Sequence, residues 1–77
     1  MAREQHTFDV ETSHKRMAGD RQTFRIHVYR EGDSGWFCDN ARLGCSRTFK
    51  VDRPVEAISH WLREHDRDSL GYRRVEG

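Results

Sequence analysis

The stretch that most restricts the fold is TFRIHVYRE, residues 23–31. Phe24, Ile26 and Val28 alternate with Arg25, His27 and Tyr29, the period of two that suits a half-buried strand. GDSG follows as turn chemistry, and GWFCDN reads as the return strand of a hairpin. With residues 32–34 as the loop, Val28 lies opposite Cys38, and Trp36 and Cys38 join the apolar face.

A second turn over 40–44 leads into CSRTFKV, where Cys45, Phe49 and Val51 share a face with Arg47 as the odd member. Asp52 is a candidate N-cap for a helix with Pro54 in its first turn. Val55, Ile58, Trp61, Leu62 and His65 form one helical stripe, the charged segment 63–68 reads as a solvated face, and Gly71 is the expected stop. The predicted fold is α+β: a three-stranded antiparallel sheet followed by one C-terminal helix packed on one face, with zinc as a candidate brace. Residues 1–21 are expected to be a mobile arm, 22–70 the βββα domain and 71–77 a mobile tail.

A chain of 77 residues, 34% hydrophobic and 35% charged, is lean for a core, and small domains of this kind often need a metal, disulfide or partner. Net charge is +1, but residues 15–53 hold nine basic against five acidic side chains, a modest basic patch compatible with nucleic acid. No apolar run approaches the ~20 residues of a membrane helix and no signal peptide opens the chain. A cytoplasmic location is therefore expected, where a structural disulfide is disfavoured.

Cys38 and Cys45 admit three states: zinc ligands, two reduced core thiols, or a disulfide. The series Trp36, Cys38, Cys45, Phe49, His60, His65 resembles a Cys-Cys-His-His zinc finger. That resemblance implies Cys38, Cys45, His60 and His65 as metal ligands, in a donor set that zinc prefers.

Two further resemblances cover nearly the same span. Arg25, Arg30, Thr48, Phe49, Glu56, Ala57, Trp61 and Leu62 match the pattern of the arm-type DNA-binding domain of phage-type tyrosine recombinases, which implies a sheet laid into the major groove. Leu43-Gly44-Cys45-Ser46 with Glu56-Ala57 is similar to the HicB-type antitoxins, which implies a protein partner.

The face of the sheet turned away from the helix is predicted to carry Arg25, His27, Tyr29, Phe37, Thr48 and Lys50, a mixture unsuited to a second core. The resulting expectation is a non-enzymatic nucleic-acid-binding module, with DNA favoured. Arg25, Arg30, Arg47 and Lys50 would contact phosphates or bases, assisted by Tyr29 and Thr48. The alternative is a module that binds a protein partner through the same face or an edge strand, without touching nucleic acid.

Overall fold

Two ten-residue strands, β1 (Gln5–His14) and β2 (Arg21–Arg30), pair antiparallel along nearly their whole length in a computed structural model that describes residues 4–75. A single 3-10 turn at Gly32–Ser34 returns the chain into β3 (Trp36–Asp39), and a two-residue β4 (Thr48–Phe49) pairs with β3. Helix α1 (Pro54–Glu64) follows, and the chain then re-enters the sheet as β5 (Arg67–Val75), antiparallel to β1. The five strands lie in the order β4-β3-β2-β1-β5.

The α+β class and the helix on one face are as the sequence predicts, but the sheet has five strands where three were expected. The expected arm supplies β1, now an interior strand, and the expected tail supplies the end of β5; residues 1–3 and 76–77 of those segments lie outside the described residues. β1 meets the same physical requirement as β2. Phe8, Val10 and Thr12 turn inward and are buried, while Thr7, Asp9 and Glu11 turn outward. Burying a side chain such as Phe8 or Val10 contributes roughly 1.5–3 kcal/mol relative to exposure, so β1 enlarges a core for which the composition is lean. Zinc is not needed to explain the packing.

The predicted register holds where the sequence specified it. Val28 lies opposite Cys38, and Tyr29 opposite Phe37. Gly35 is forced by this hairpin. Its φ is +115°, and a Cβ there would run into the Phe49 carbonyl oxygen and stand 2.8 Å from Lys50 Cα.

The core is one layer between sheet and helix: Phe8, Val10, Phe24, Ile26, Val28, Trp36, Cys38 and Phe49 against Ala57, Ile58, Trp61 and Leu62. Trp61 sits at its centre, fully buried and edge-on to Phe24 with ring centroids 5.6 Å apart.

The helix ends differ from the sequence reading. Arg53, not Asp52, occupies the cap position, and the Glu56 carboxylate reaches back to accept from the backbone N–H groups of Asp52 (3.1 Å) and Arg53 (3.4 Å), one half of a capping box. The helix stops at Glu64, well before Gly71. His65 and Asp66, the latter at φ +55°, reverse the chain into β5.

That reversal brings Arg67 inside, contrary to the solvated face expected for this segment. Its guanidinium is only 5% exposed; Nε donates to Thr12 Oγ1 (2.7 Å), Nη1 donates to Asp20 Oδ2 (3.2 Å), and the group lies 5.0 Å from the Phe24 ring centroid. One side chain thus ties the start of β5 to β1 and to the β1–β2 turn. The Gln22 amide, and after it Arg67, hold the Asp20 carboxyl below the usual carboxylate range, and Arg25 does the same to Asp9.

Carboxyls depressed in the fold stabilise it above their unfolded values, about pH 4, and that contribution disappears as pH falls through the lowered folded values. Thermal melting temperature is expected to fall steadily below about pH 4. Asp20→Asn should lower it at neutral pH and flatten the acid limb.

Candidate binding face

Strand pairing assigns every side chain on the side of the sheet away from α1. The residues run in rows across the strands. Gln5, Tyr29, Phe37 and Thr48 form one row; Val75, Thr7, His27 and Asp39 the next; Arg73, Asp9 and Arg25 a third. Glu11 and Thr23 follow, then Asp68, Ser13 and Arg21. Among the described residues no second helix covers this face.

The rows have distinct chemistry. At the first, two half-buried aromatic rings, Tyr29 and Phe37, stand side by side on adjacent strands, flanked by an amide and a hydroxyl. In the second, His27 Nδ1 lies 2.9 Å from Thr7 Oγ1.

In the third, Arg25 makes a two-pronged contact with Asp9: Nε donates to Oδ1 at 2.9 Å and Nη2 to Oδ2 at 3.0 Å. Arg73 Nη2 reaches the same Oδ2 at 3.3 Å. Asp9 is thereby shared between two arginines, and the Arg25 bond raises the guanidinium's own affinity for its proton. Beyond that row, Arg21 donates to the Glu11 carboxylate. Along the described strands this face carries three arginines (Arg21, Arg25, Arg73) against four carboxylates (Asp9, Glu11, Asp39, Asp68).

Of the six residues expected to contact nucleic acid, Arg25, Tyr29 and Thr48 lie on this face and the other three do not. Arg30 is at the far end of β2 on the helix side, 5.8 Å from the Trp36 ring centroid and 3.6 Å from Glu4. Arg47 lies over Phe49 and pairs with Glu64 of the helix at 3.0 Å. Lys50 follows the short β4 and lines a cleft with Glu56, His60 and Arg63. Asp9 and Arg73, which set the electrostatics of the face, come from the two strands that the sequence reading left out. The signal for the first was present in the alternation of Phe8 and Val10 with Thr7, Asp9 and Glu11.

The zinc assignment is overturned. Among the described residues no group of His, Cys, Asp or Glu could hold a metal ion. Cys38 is fully buried in the core, and Cys45 is half-buried with its thiol donating to the Arg47 carbonyl oxygen at 2.8 Å. His60 stacks on Phe49, centroids 5.4 Å apart, whereas His65 packs on Trp61 and lies 3.1 Å from the Gly44 carbonyl oxygen. His60 lies on the helix and His65 just past its end at Glu64, and the two rings rest on different aromatic side chains.

Both cysteines are free. Burial, and after it the neighbouring Cys45, pushes the Cys38 thiol up to about 12, so it stays protonated at neutral pH and lacks the reactive thiolate. Titration of the folded protein with a thiol reagent should therefore modify no more than Cys45. The second equivalent should appear only in denaturant.

Comparisons with protein-family models, with curated proteins and with solved structures found no match to this chain. The recombinase-arm and antitoxin resemblances gain no support from them, and both rest on a three-stranded reading that the five-stranded sheet replaces. No helix among the described residues is long and apolar enough to cross a membrane.

Proposed function

We propose that this chain is a non-enzymatic binding module that receives a protein partner on the open face of its sheet. The carrying observation is the Arg25–Asp9–Arg73 row. The arginines that a nucleic-acid reading requires on this face are matched internally by carboxylates, so a phosphate backbone laid there would meet Asp9, Glu11 and Asp39 as well as the guanidiniums. The counterion-release term that dominates nucleic-acid affinity is then lost. The adjoining row of Gln5, Tyr29, Phe37 and Thr48 has the composition of a protein interface centre, aromatic with neutral polar groups at its margin.

Direct nucleic-acid binding is a second reading, and its support lies on the other side of the molecule. Lys50 and Arg63 make no ion pair among the described residues and line one cleft with His60, beside the carboxylates of Asp52 and Glu56.

Fluorescence anisotropy with duplex DNA, single-stranded DNA and RNA at low salt separates the readings. The expected result is no saturable binding. A titration whose log K falls by about 0.9 per phosphate with log salt would contradict the proposal. Loss of that binding on Lys50→Glu with Arg63→Glu, but not on Arg25→Ala, would assign it to the helix side.

A further inference from the structure

We infer that β5 pairs with the β5 of a second copy across a two-fold axis, joining two sheets into one of ten strands. β5 is the long edge of the sheet; the opposite edge, β4, has only two residues. Its side chains from Asp68 to Arg74 are exposed, including Leu70 (48%) and Tyr72 (55%). An exposed edge is a template for another strand. What selects a second copy is the pattern of backbone groups along it.

Alternate residues of β1 bond to opposite neighbours. Arg30 N–H donates to Glu4 O, and His14 N–H to Asp20 O, so even-numbered residues of β1 serve β2. Lys15 N–H donates to Asp66 O, so the odd-numbered ones serve β5. Their partners Asp68, Gly71, Arg73 and Val75 accordingly turn their backbone groups inward, while Arg67, Ser69, Tyr72 and Arg74 turn theirs outward. The irregularity between Glu11 and Thr12, which leaves Leu70 as an extra residue, shifts the parity midway.

The outward set is symmetric about the midpoint between Leu70 and Gly71. An antiparallel copy brings all four outward residues to outward residues only in that register: Ser69 opposite Tyr72 and Arg67 opposite Arg74, each twice. A strand without the bulge would not match this edge along its whole length, whereas a second copy carries the same bulge.

Side chains agree with the register. Asp68 falls opposite Arg73 in both halves, and both project from the open face, opposite Ser13 and Asp9 of β1. They form a pair in which the strands exchange no backbone bonds and the side chains come closest. Arg73, which reaches Asp9 at 3.3 Å, is still 79% exposed, and Asp68, 3.8 Å from Lys15, is 59% exposed, so each has room for a second, inter-chain partner. Leu70 meets Gly71, where a Cβ would find nothing within 4 Å. The like-charged pair, Arg67 with Arg74, is turned away from the axis: Arg67 is held inside by Thr12 and Asp20, and Arg74 is bonded to His6. The dimer joins the two open faces edge to edge, with Arg73 common to the seam and to the row it shares with Asp9 and Arg25.

Sedimentation of the full chain over a concentration series gives the test. The expected species is a dimer of the 9.2 kDa chain. Asp68→Lys and Arg73→Glu should each weaken dimerisation by about tenfold or more, since each change turns two opposite-charge cross-strand pairs into like-charge pairs. The two together should restore it, with far-UV circular dichroism unchanged in all variants. A wild-type chain that sediments as a monomer at its highest soluble concentration would overturn the inference. So would a dimer indifferent to either single charge reversal.

Discussion

Trp61→Ala is expected to destabilise the protein by about 3–5 kcal/mol, the largest effect of any single truncation in the core. Trp61 has no exposed surface, packs edge-on against Phe24 and tilts against His65 at 4.5 Å. It therefore joins helix to sheet and to the helix end that turns into β5. A chain of this size has roughly 4–12 kcal/mol of total stability, so the variant should be partly or wholly unfolded at room temperature. Urea denaturation followed by circular dichroism measures the loss.

Trp61→Phe separates two causes. The indole Nε1–H is buried without a hydrogen-bond partner among the described residues, and such a donor costs about 1–3 kcal/mol. Replacing the indole by phenyl removes that cost while leaving a smaller cavity. The Phe variant should lie within about 1 kcal/mol of wild type, because the two terms oppose each other.

Gly35→Ala is expected to cost about 3 kcal/mol, from backbone strain at a positive φ together with overpacking. The obstruction is main chain, not a flexible side chain. The methyl would meet the carbonyl of Phe49 and the Cα of Lys50, so β4 must move away from β3. Phe49, buried at 3% exposure, and the His60 ring stacked on it would move with it. The same urea titration should show a lowered midpoint. If β4 detaches locally, amide exchange should accelerate at Thr48 and Phe49 more than in β1.

These two residues mark what could be read from the sequence and what could not. The β2–β3 hairpin was legible because Phe24, Ile26 and Val28 alternate cleanly and GDSG supplies the turn. Its register followed from the loop length, and the helix stripe from Val55 to Leu62 was equally plain. β1 was missed because Phe8 and Val10 are its only large apolar residues, set among polar neighbours and separated from β2 by a charged turn. β5 was missed for a different reason. An edge strand held by backbone bonds to β1 needs no apolar alternation, and RDSLGYRRV shows none.

The site was legible only in part, as a consequence. A face read from three strands contained Arg25, Tyr29 and Thr48 but not Asp9 or Arg73, so it was expected to be basic. The carboxylates that neutralise it arrive with the missing strands. The zinc reading failed on geometry that spacing alone does not carry: Cys38 points into the core, and His60 and His65 lie on different aromatic rings. Arg67, read as part of a solvated end, is buried because the helix stops at Glu64 and the chain doubles back.

The claim that the open face receives a protein is tested most directly by affinity capture from an extract of the source cell, treated with nuclease. Wild type and a Tyr29→Ser/Phe37→Ser variant are compared in parallel. The cross-strand aromatic pair itself contributes only about 0.2–1 kcal/mol to folding, whereas interface-centre aromatics cost about 2 kcal/mol or more of binding when truncated. A stoichiometric protein complex that survives moderate salt is expected with wild type, and its loss with the folded double variant. Recovery of nucleic acid alone from untreated extract, or a protein complex that the variant retains in full, would contradict that claim.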